Sequence, residues 1–216
     1  MIFARHPYRF AIMALSLASV SPALAATSET QGWINESAVA KVDDNDSVTI
    51  DLSQRLRPEG DQFLHRITLD HAIARGIQLG GGFAYIDSDS QKEMRFHQQL
   101  TLSHGILQSR TRVEQRFIDS SSDPSWRLRE RVQATLPLDK AHGWSLVGSA
   151  EFFFDLHKPK AVEDTELVSS RLLIGVHYAL AKNLDAQVGY TLQQTFHDDK
   201  PDEMAHIPWI TLNWKI

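Results

Sequence analysis

The chain has 216 residues, of which 42% are hydrophobic and 23% are charged, with 22 Lys and Arg against 27 Asp and Glu. This acidic balance argues against a nucleic-acid partner, and the absence of cysteine excludes disulfide bonds as a source of stability. The length suits one domain with its own core, or one closed barrel.

The first residues have the three parts of a secretory signal peptide. Arg5 and Arg9 supply positive charge, an apolar run follows from 11 to 20, and small residues precede a cleavage site after Ala25. That run is about half the roughly 20 residues that a membrane-spanning helix needs. We therefore expect residues 1–25 to be cleaved and residues 26–216 to form one exported domain, whose balance moves from −5 to −7 on losing the two arginines.

Beyond the leader, apolar and polar residues alternate in short runs separated by polar breaks. Val48, Ile50 and Leu52, for example, alternate with Thr49 and Asp51. A period of two predicts strands. Eleven such runs are present, at 33–42, 47–57, 63–73, 77–86, 92–103, 106–117, 125–136, 144–155, 165–178, 184–195 and 205–216.

The breaks between the runs fall into two alternating sets. One set is 43–46, 74–76, 104–105, 137–143 and 179–183; the other is 58–62, 87–91, 118–124, 156–164 and 196–204, longer on average and richer in acids. Bacterial outer-membrane barrels have short periplasmic turns and longer external loops. We expect the acidic set to lie outside the cell and to bind divalent cations that bridge lipopolysaccharide phosphates.

Arginines recur on one face of two neighbouring runs, in "SRTRVEQRF" and "WRLRERVQATL". In a soluble barrel such a face would meet water, whereas in a membrane barrel it would line the lumen. The runs are about 10–12 residues long, enough for the roughly 9–11 residues that a tilted transmembrane strand needs, while strands in globular proteins average about five or six. The pattern therefore favours a membrane barrel with an arginine-lined interior.

Charges in a narrow lumen must be paired, because an unpaired buried guanidinium costs several kcal/mol. We predict an ion-pair network, with His97 and His177 as further members of the polar face. Glu130 shares the apolar face of its run, which predicts an acid exposed to lipid. The predicted network consists of Glu93, Arg110, Arg112, Glu114, Arg116, Arg127, Arg129, Arg131, Glu151 and Arg171.

The last run, "HIPWITLNWKI", resembles the terminal strand through which outer-membrane barrels are recognised for insertion. This resemblance implies the barrel-insertion machinery as a partner. Aromatic residues also lie near the ends of runs, which suits girdles at two membrane interfaces. They are Tyr85, Trp126, Trp144, Tyr178, Trp209 and Trp214.

Several segments between Arg95 and Ile216 are similar to a family of Gram-negative outer-membrane barrels catalogued as a domain of unknown function (2490). They are "SRTRVEQRF", "WRLRERVQATLPL", "GSAEFFFDL", "SRLLIGVHYAL", "LDAQVGYTLQ" and "HIPWITLNWKI". The resemblance implies an all-β fold, a single antiparallel up-and-down transmembrane β-barrel in the outer membrane. It implies no activity, substrate or catalytic residue.

Eleven runs conflict with the even strand number of bacterial barrels. Few residues of the mature chain precede Trp33, too few to cross the membrane before a descending strand. We therefore expect ten strands from Ser47 onward, with residues 33–42 in the periplasmic mouth or the lumen. Twelve strands is the alternative.

Acid–base chemistry at the outer rim is the remaining question, because small outer-membrane barrels include hydrolases and proteases. The candidate groups have no diagnostic spacing, and no zinc, phosphate-binding or nucleophile motif is present. We expect a structural or small-ligand- or lipid-binding barrel that is not an enzyme and needs no cofactor or metal. The alternatives are a narrow solute channel, or a lipid A hydrolase or protease at the rim. The rim candidates are Asp155, His157, His197, Asp198, Asp199 and His206.

Overall fold

Strands account for most of the described chain, as the two-residue alternation predicts. The structure is a computed structural model that describes residues 27–140, 143–157, 166–198 and 200–216. The predicted signal peptide, 1–25, lies outside the described residues. The twelve strands of the described residues belong to one sheet, which closes on itself as a barrel.

The eleven predicted runs correspond to β2 to β12, with edges that agree within three residues. A short strand, β1, precedes them. The strands are β1 Thr27–Thr30, β2 Gly32–Lys41, β3 Asp46–Leu56, β4 Gln62–Ala74, β5 Ile77–Ser88, β6 Gln91–His104, β7 Leu107–Ile118, β8 Ser125–Pro137, β9 Trp144–His157, β10 Glu166–Ala181, β11 Leu184–Thr195 and β12 Glu203–Lys215.

The barrel closes between β2 and β12, and this pair is parallel. Trp33 lies opposite Trp209, and the register continues to Val39 opposite Lys215. Every pair of consecutive strands from β2 to β12 is antiparallel. The wall therefore has eleven strands, and both the ten-strand prediction and the fully antiparallel closure are wrong. A parallel seam allows an odd number, because the first strand then runs in the same direction as the last.

The prediction that residues 33–42 lie in the periplasmic mouth or the lumen is also wrong. Residues 32–41 form β2, whose other neighbour in the wall is β3, from Gly32 opposite Leu56 to Lys41 opposite Ser47. The small number of residues before β2 does not exclude it from the barrel wall. A strand that pairs with β12 needs no strand before it.

The short strand β1 pairs with β12 in the same register as β2, since Thr27 lies opposite Glu203. The two strands are separated at Gln31, whose N–H donates to the carbonyl of His206 at 3.0 Å. In a parallel ladder the carbonyl of Gln31 would accept the next hydrogen bond from the backbone N–H of residue 208. Residue 208 is proline and has no N–H. Pro208 therefore accounts for the interruption between β1 and β2.

The barrel has a short-turn rim, where β12 ends, and a long-loop rim, where β2 begins. At the short-turn rim, the turn between β2 and β3 is closed by Asp43, whose Oδ1 accepts the N–H groups of Asn45 and Asp46 at 2.8 Å each. These two backbone hydrogen bonds lower the pKa of Asp43, because they stabilise its ionised form.

The two faces of the sheet are inverted relative to a soluble barrel. Leu172, Ile174 and Val188 on the outer face are 56%, 58% and 53% exposed, whereas Arg112 and Glu114 on the inner face are each 2% exposed. The charged residues thus fill the inside of the barrel, and aliphatic residues cover its outside. Among the described residues, no helix is long and apolar enough to cross a membrane.

Candidate functional site

The lumen gathers the charged side chains that the sequence analysis singled out. All ten lie at inward-facing positions of β6 to β10, because each alternates with an outward apolar or polar neighbour along its strand. Glu93, Glu151 and Arg129 are 5%, 7% and 7% exposed. Strand alternation thus brings these ionisable groups together in the interior.

Glu151 on β9 is the centre of one group of contacts. Its Oε1 accepts from Arg110 on β7 and from Arg129 on β8, each at 2.9 Å. Arg171 on β10 lies 3.9 Å from its other oxygen. One carboxylate therefore connects three guanidinium groups on strands to both sides of β9.

Glu114 on β7 is the centre of a second group. It accepts from Arg129 at 2.7 Å, while Arg112 and Arg95 lie at 3.8 Å and 3.9 Å. Arg112 donates to the side-chain oxygen of Gln99 at 2.6 Å and 3.0 Å. Because Arg129 contacts both Glu114 and Glu151, it joins the two groups.

A third group lies nearer the long-loop rim, around Glu93 on β6. Its Oε2 accepts from Arg95 at 2.7 Å and from Arg116 at 3.1 Å. Arg127 is separate and donates to Asp155 at 3.0 Å. Arg95 and Asp155 are members that the sequence analysis did not include in the network, although both occupy inward positions of their strands.

Arg131 occupies an inward position of β8 as well, but its contact is neutral. Its guanidinium donates to the side-chain oxygen of Gln108 at 2.9 Å. It has no carboxylate within 4.0 Å among the residues that the structure describes.

An alternating stack of arginines and aromatic rings crosses the lumen beside these ion pairs. Arg55 and Arg171 lie over Trp33, at 4.4 Å and 5.0 Å from its ring. Arg171 and Arg129 lie over Phe153, at 4.6 Å and 4.8 Å. Cation–π attraction of this kind stabilises a guanidinium that lacks a carboxylate partner. The alternating pattern does not predict the stack, because an inward aromatic residue departs from that pattern.

The prediction that Trp209 is an interfacial aromatic residue is wrong. It lies in the lumen, is 9% exposed, and its ring passes over Gly175 and Gly189. A Cβ atom at Gly189 would lie 2.5 Å from both the Trp209 ring and the carbonyl oxygen of Ile174. The two glycines therefore provide the space that admits an indole to the interior.

We expect the substitution Gly189→Ala to destabilise the folded barrel by about 1–3 kcal/mol, because the added methyl group must displace Trp209 or the backbone of β10. Gly148→Ala is the matched control, since its Cβ would meet nothing nearer than the carbonyl oxygen of Leu173 at 3.8 Å. Urea unfolding of both variants in detergent measures the difference. Equal stability of the two variants would contradict the close approach of Trp209.

The two histidines of the inner face have different surroundings. His97 is 2% exposed and its Nε2 lies 3.3 Å from the hydroxyl of Thr68. His177 lies 3.5 Å from Asp185 near the short-turn rim, where Lys215 also contacts Asp185 at 2.6 Å. Both are polar contacts within the inner face.

A cavity of about 320 Å³ lies within the lumen. Arginines 55, 66, 110, 129 and 131 line it, together with the carboxylates of Asp51 and Glu151. The rest of the wall includes Trp33, Trp209, Leu64, Val147 and Leu173. The cavity therefore combines positive charge with apolar surface.

Three of the candidates for rim catalysis each have a different partner. Asp155 is paired with Arg127, His197 lies 3.4 Å from Glu203, and His206 lies beside Tyr190 on the outer face, with their rings tilted. Asp199 lies outside the described residues. In the described ranges, no group of three or more His, Cys, Asp or Glu side chains is arranged to hold a metal ion.

Glu130 lies on the outer face of β8, as its position in the alternation predicts. It is half-buried between Thr111 on β7 and Phe152 on β9. The Thr111 hydroxyl donates to its Oε2 at 2.9 Å. This neighbouring hydroxyl provides one polar contact on a face that is otherwise mainly apolar.

Comparison with known proteins agrees with this architecture. A family described as "Protein of unknown function (DUF2490)" matches residues 30–205. An uncharacterized protein of Methylorubrum extorquens is 27% identical over 158 residues, which cover 68% of this chain and 69% of that protein. The translocator domain of the autotransporter NalP from Neisseria meningitidis has a similar fold, with a TM-score of 0.50 and 12% identity. The match covers 76% of this chain and 72% of that domain.

Proposed function

The chain belongs to the DUF2490 family, and from its inverted barrel we propose that it is a bacterial outer-membrane protein of the structural or small-ligand-binding type. The observation that carries this proposal is the combination of an exposed aliphatic outer face and a buried charged lumen. In water this arrangement would expose the aliphatic outer face to solvent. In a bilayer the aliphatic face contacts hydrocarbon and the charged residues stay inside the lumen. A closed sheet also pairs the backbone groups that a bilayer cannot solvate.

Aromatic residues near the strand ends also support a membrane environment. Trp144 and Tyr178 stack at 4.3 Å beside the short-turn rim, and Trp214 lies near the end of β12. Trp126 lies near the opposite rim, at the start of β8. Aromatic side chains at two levels are typical of barrels that span both interfaces of a membrane.

We place the short-turn rim in the periplasm and the long-loop rim outside the cell. This orientation puts the end of β12 where the barrel-insertion machinery would recognise it. It also puts the acidic loops against lipopolysaccharide, whose phosphates would be bridged to them by divalent cations. The leader at residues 1–25 would direct export and be removed near Ala25.

The proposal assigns the lumen a supporting role rather than a catalytic one. Ion pairs centred on Glu93, Glu114 and Glu151 connect β6 to β10, and the stack of arginines and aromatic rings extends the contacts to β2 and β3. Such contacts rigidify the wall from within. The separate environments of His197 and His206 favour the absence of hydrolase activity.

A narrow solute channel is a second candidate, which the lumen cavity favours. The stack that crosses the lumen opposes it, because a solute would have to displace paired side chains. Purified protein in planar bilayers should therefore give no discrete conductance steps, and regular steps would favour passage over a supporting role.

Heat-modifiability tests the membrane-barrel proposal. The full chain extracted from a Gram-negative host should sediment with outer membranes and float with vesicles in a density gradient. Without boiling, it should migrate anomalously on a detergent gel, and boiling should shift it to the position of the unfolded chain. Recovery in the soluble periplasmic fraction, with the same mobility before and after boiling, would exclude the proposal.

A further inference from the structure

We propose that the lumen cavity binds a small organic oxyanion, a carboxylate or a phosphate ester, with its charge on the arginines and its apolar part against the aromatic wall. This rests on the proposed function and deepens it, because it names a site and a ligand class for the small-ligand-binding type of barrel.

Charge around the cavity is unbalanced. Five arginines line it, against two inward carboxylates, Asp51 and Glu151. Glu36 also borders the cavity, but it belongs to the outer face of β2 and is exposed. The Glu151 carboxylate is already shared between Arg110 and Arg129. Buried guanidinium groups in such excess are costly, and an anion among them would remove that cost.

Among the described residues, the two weakest-paired arginines of the cavity have only neutral partners. Arg131 donates to Gln108 at 2.9 Å, and Arg55 donates to Gln62 at 2.9 Å. A third, Arg66, lies 3.7 Å from Asp51, which itself accepts a hydrogen bond from Ser37 at 2.8 Å. Arg55 and Arg131 therefore have positive charge that no carboxylate among the described residues neutralises at hydrogen-bond distance.

Unsatisfied donors occur on the same side chains. Among the described residues, the buried Nε atoms of Arg55, Arg110 and Arg131 and the buried Nε1 of Trp209 have no hydrogen-bond partner. All four residues line the cavity. Buried polar groups are ordinarily paired, so four unpaired N–H donors on side chains that line one cavity are consistent with an acceptor bound among these side chains.

The chemistry of the wall defines the class of ligand. Guanidinium groups recognise carboxylate and phosphate oxygens through two parallel N–H donors. Trp33, Trp209 and Leu173 add apolar surface beside them. A volume of about 320 Å³ is at the small end of the range for ligand sites, about 300–1,000 Å³. These features together fit a compact anion with an aromatic or short aliphatic body.

Calorimetry on the folded full chain in neutral detergent tests the proposal, with benzoate, phenyl phosphate and inorganic phosphate as probes and neutral benzamide as the control of matched shape. We expect benzoate or phenyl phosphate to bind, and benzamide and inorganic phosphate to bind at least about tenfold more weakly. Benzamide lacks the negative charge, and inorganic phosphate lacks the apolar body. Which of the two aromatic anions binds more tightly distinguishes a carboxylate from a phosphate ligand. Equal affinity for benzoate and benzamide would overturn the anion site.

Two substitutions test whether the ligand binds in the lumen cavity. Arg131→Gln removes a cavity charge without breaking an ion pair with a described carboxylate, and should weaken binding by about tenfold or more. Arg75→Gln makes the same change in an exposed turn and should leave the affinity unchanged within about twofold. If Arg131→Gln binds like the wild type while still heat-modifiable, the site is wrong and the membrane-barrel proposal remains. If the protein binds benzoate but fractionates as a soluble protein, the anion site remains and the membrane-barrel proposal is wrong.

Discussion

The substitution Glu151→Gln is expected to lower the free energy of unfolding of the barrel by about 3–5 kcal/mol. Glu151 is the shared acceptor for Arg110 and Arg129, and Arg171 lies 3.9 Å away. A neutral amide in its place leaves guanidinium charge inside the lumen without a counter-charge. Urea unfolding of the folded protein in detergent, followed by heat-modifiability, measures the loss.

Glu203→Gln is the matched control, because it makes the same chemical change at the long-loop rim. Glu203 pairs with Lys200 at 2.7 Å, and both side chains are about half exposed, at 47% and 53%. Exposed pairs contribute only about 0–1 kcal/mol, so this variant should unfold close to the wild type. If Glu151→Gln were as stable as Glu203→Gln, Glu151 would not be the centre of a buried network.

The second large effect is expected on the outer face, where Leu172→Arg should destabilise the barrel in lipid vesicles by about 2–4 kcal/mol. Leu172 lies near the middle of β10 and is 56% exposed. In water, a charge at so exposed a position would cost little. In a bilayer it must leave water for hydrocarbon, and the cost depends on its depth.

Leu180→Arg provides the depth control on the same strand and the same face. Leu180 is 50% exposed and lies one residue before the end of β10. Near an interface the cost of arginine falls to about 0–1 kcal/mol. Unfolding of both variants in vesicles should therefore give a clear difference, and identical stabilities would argue that no depth gradient surrounds β10.

The strands could be predicted from the sequence because alternation is a local signal. Each run from 33–42 to 205–216 has its own period of two, and β2 to β12 follow these runs closely. The closure of the barrel, in contrast, depends on contacts between residues far apart in the sequence. Nothing in "WINESAVAK" indicates that it pairs in parallel with a strand about 175 residues away, and an even-number rule drawn from other barrels removed a strand that the alternation had found.

The ion-pair lumen could be anticipated in outline for the same reason, because arginines at alternate positions must share one face. Their partners were less predictable. Which carboxylate meets which guanidinium depends on the stagger between strands, as the contact of Arg110 on β7 with Glu151 on β9 illustrates. Trp33, Phe153 and Trp209 were missed as lumen residues, since aromatic side chains inside a charged barrel contradict a simple apolar-out pattern.

Tryptophan quenching by brominated lipids tests most directly whether the outer face meets hydrocarbon. The chain has five tryptophans, and single-tryptophan variants with phenylalanine at the other four positions isolate each one. In vesicles, brominated acyl chains should quench Trp126, Trp144 and Trp214, which lie on the outer face, and leave Trp33 and Trp209 in the lumen largely unaffected. Equal quenching of the two groups, or none in either, would contradict a barrel with charge inside and lipid outside.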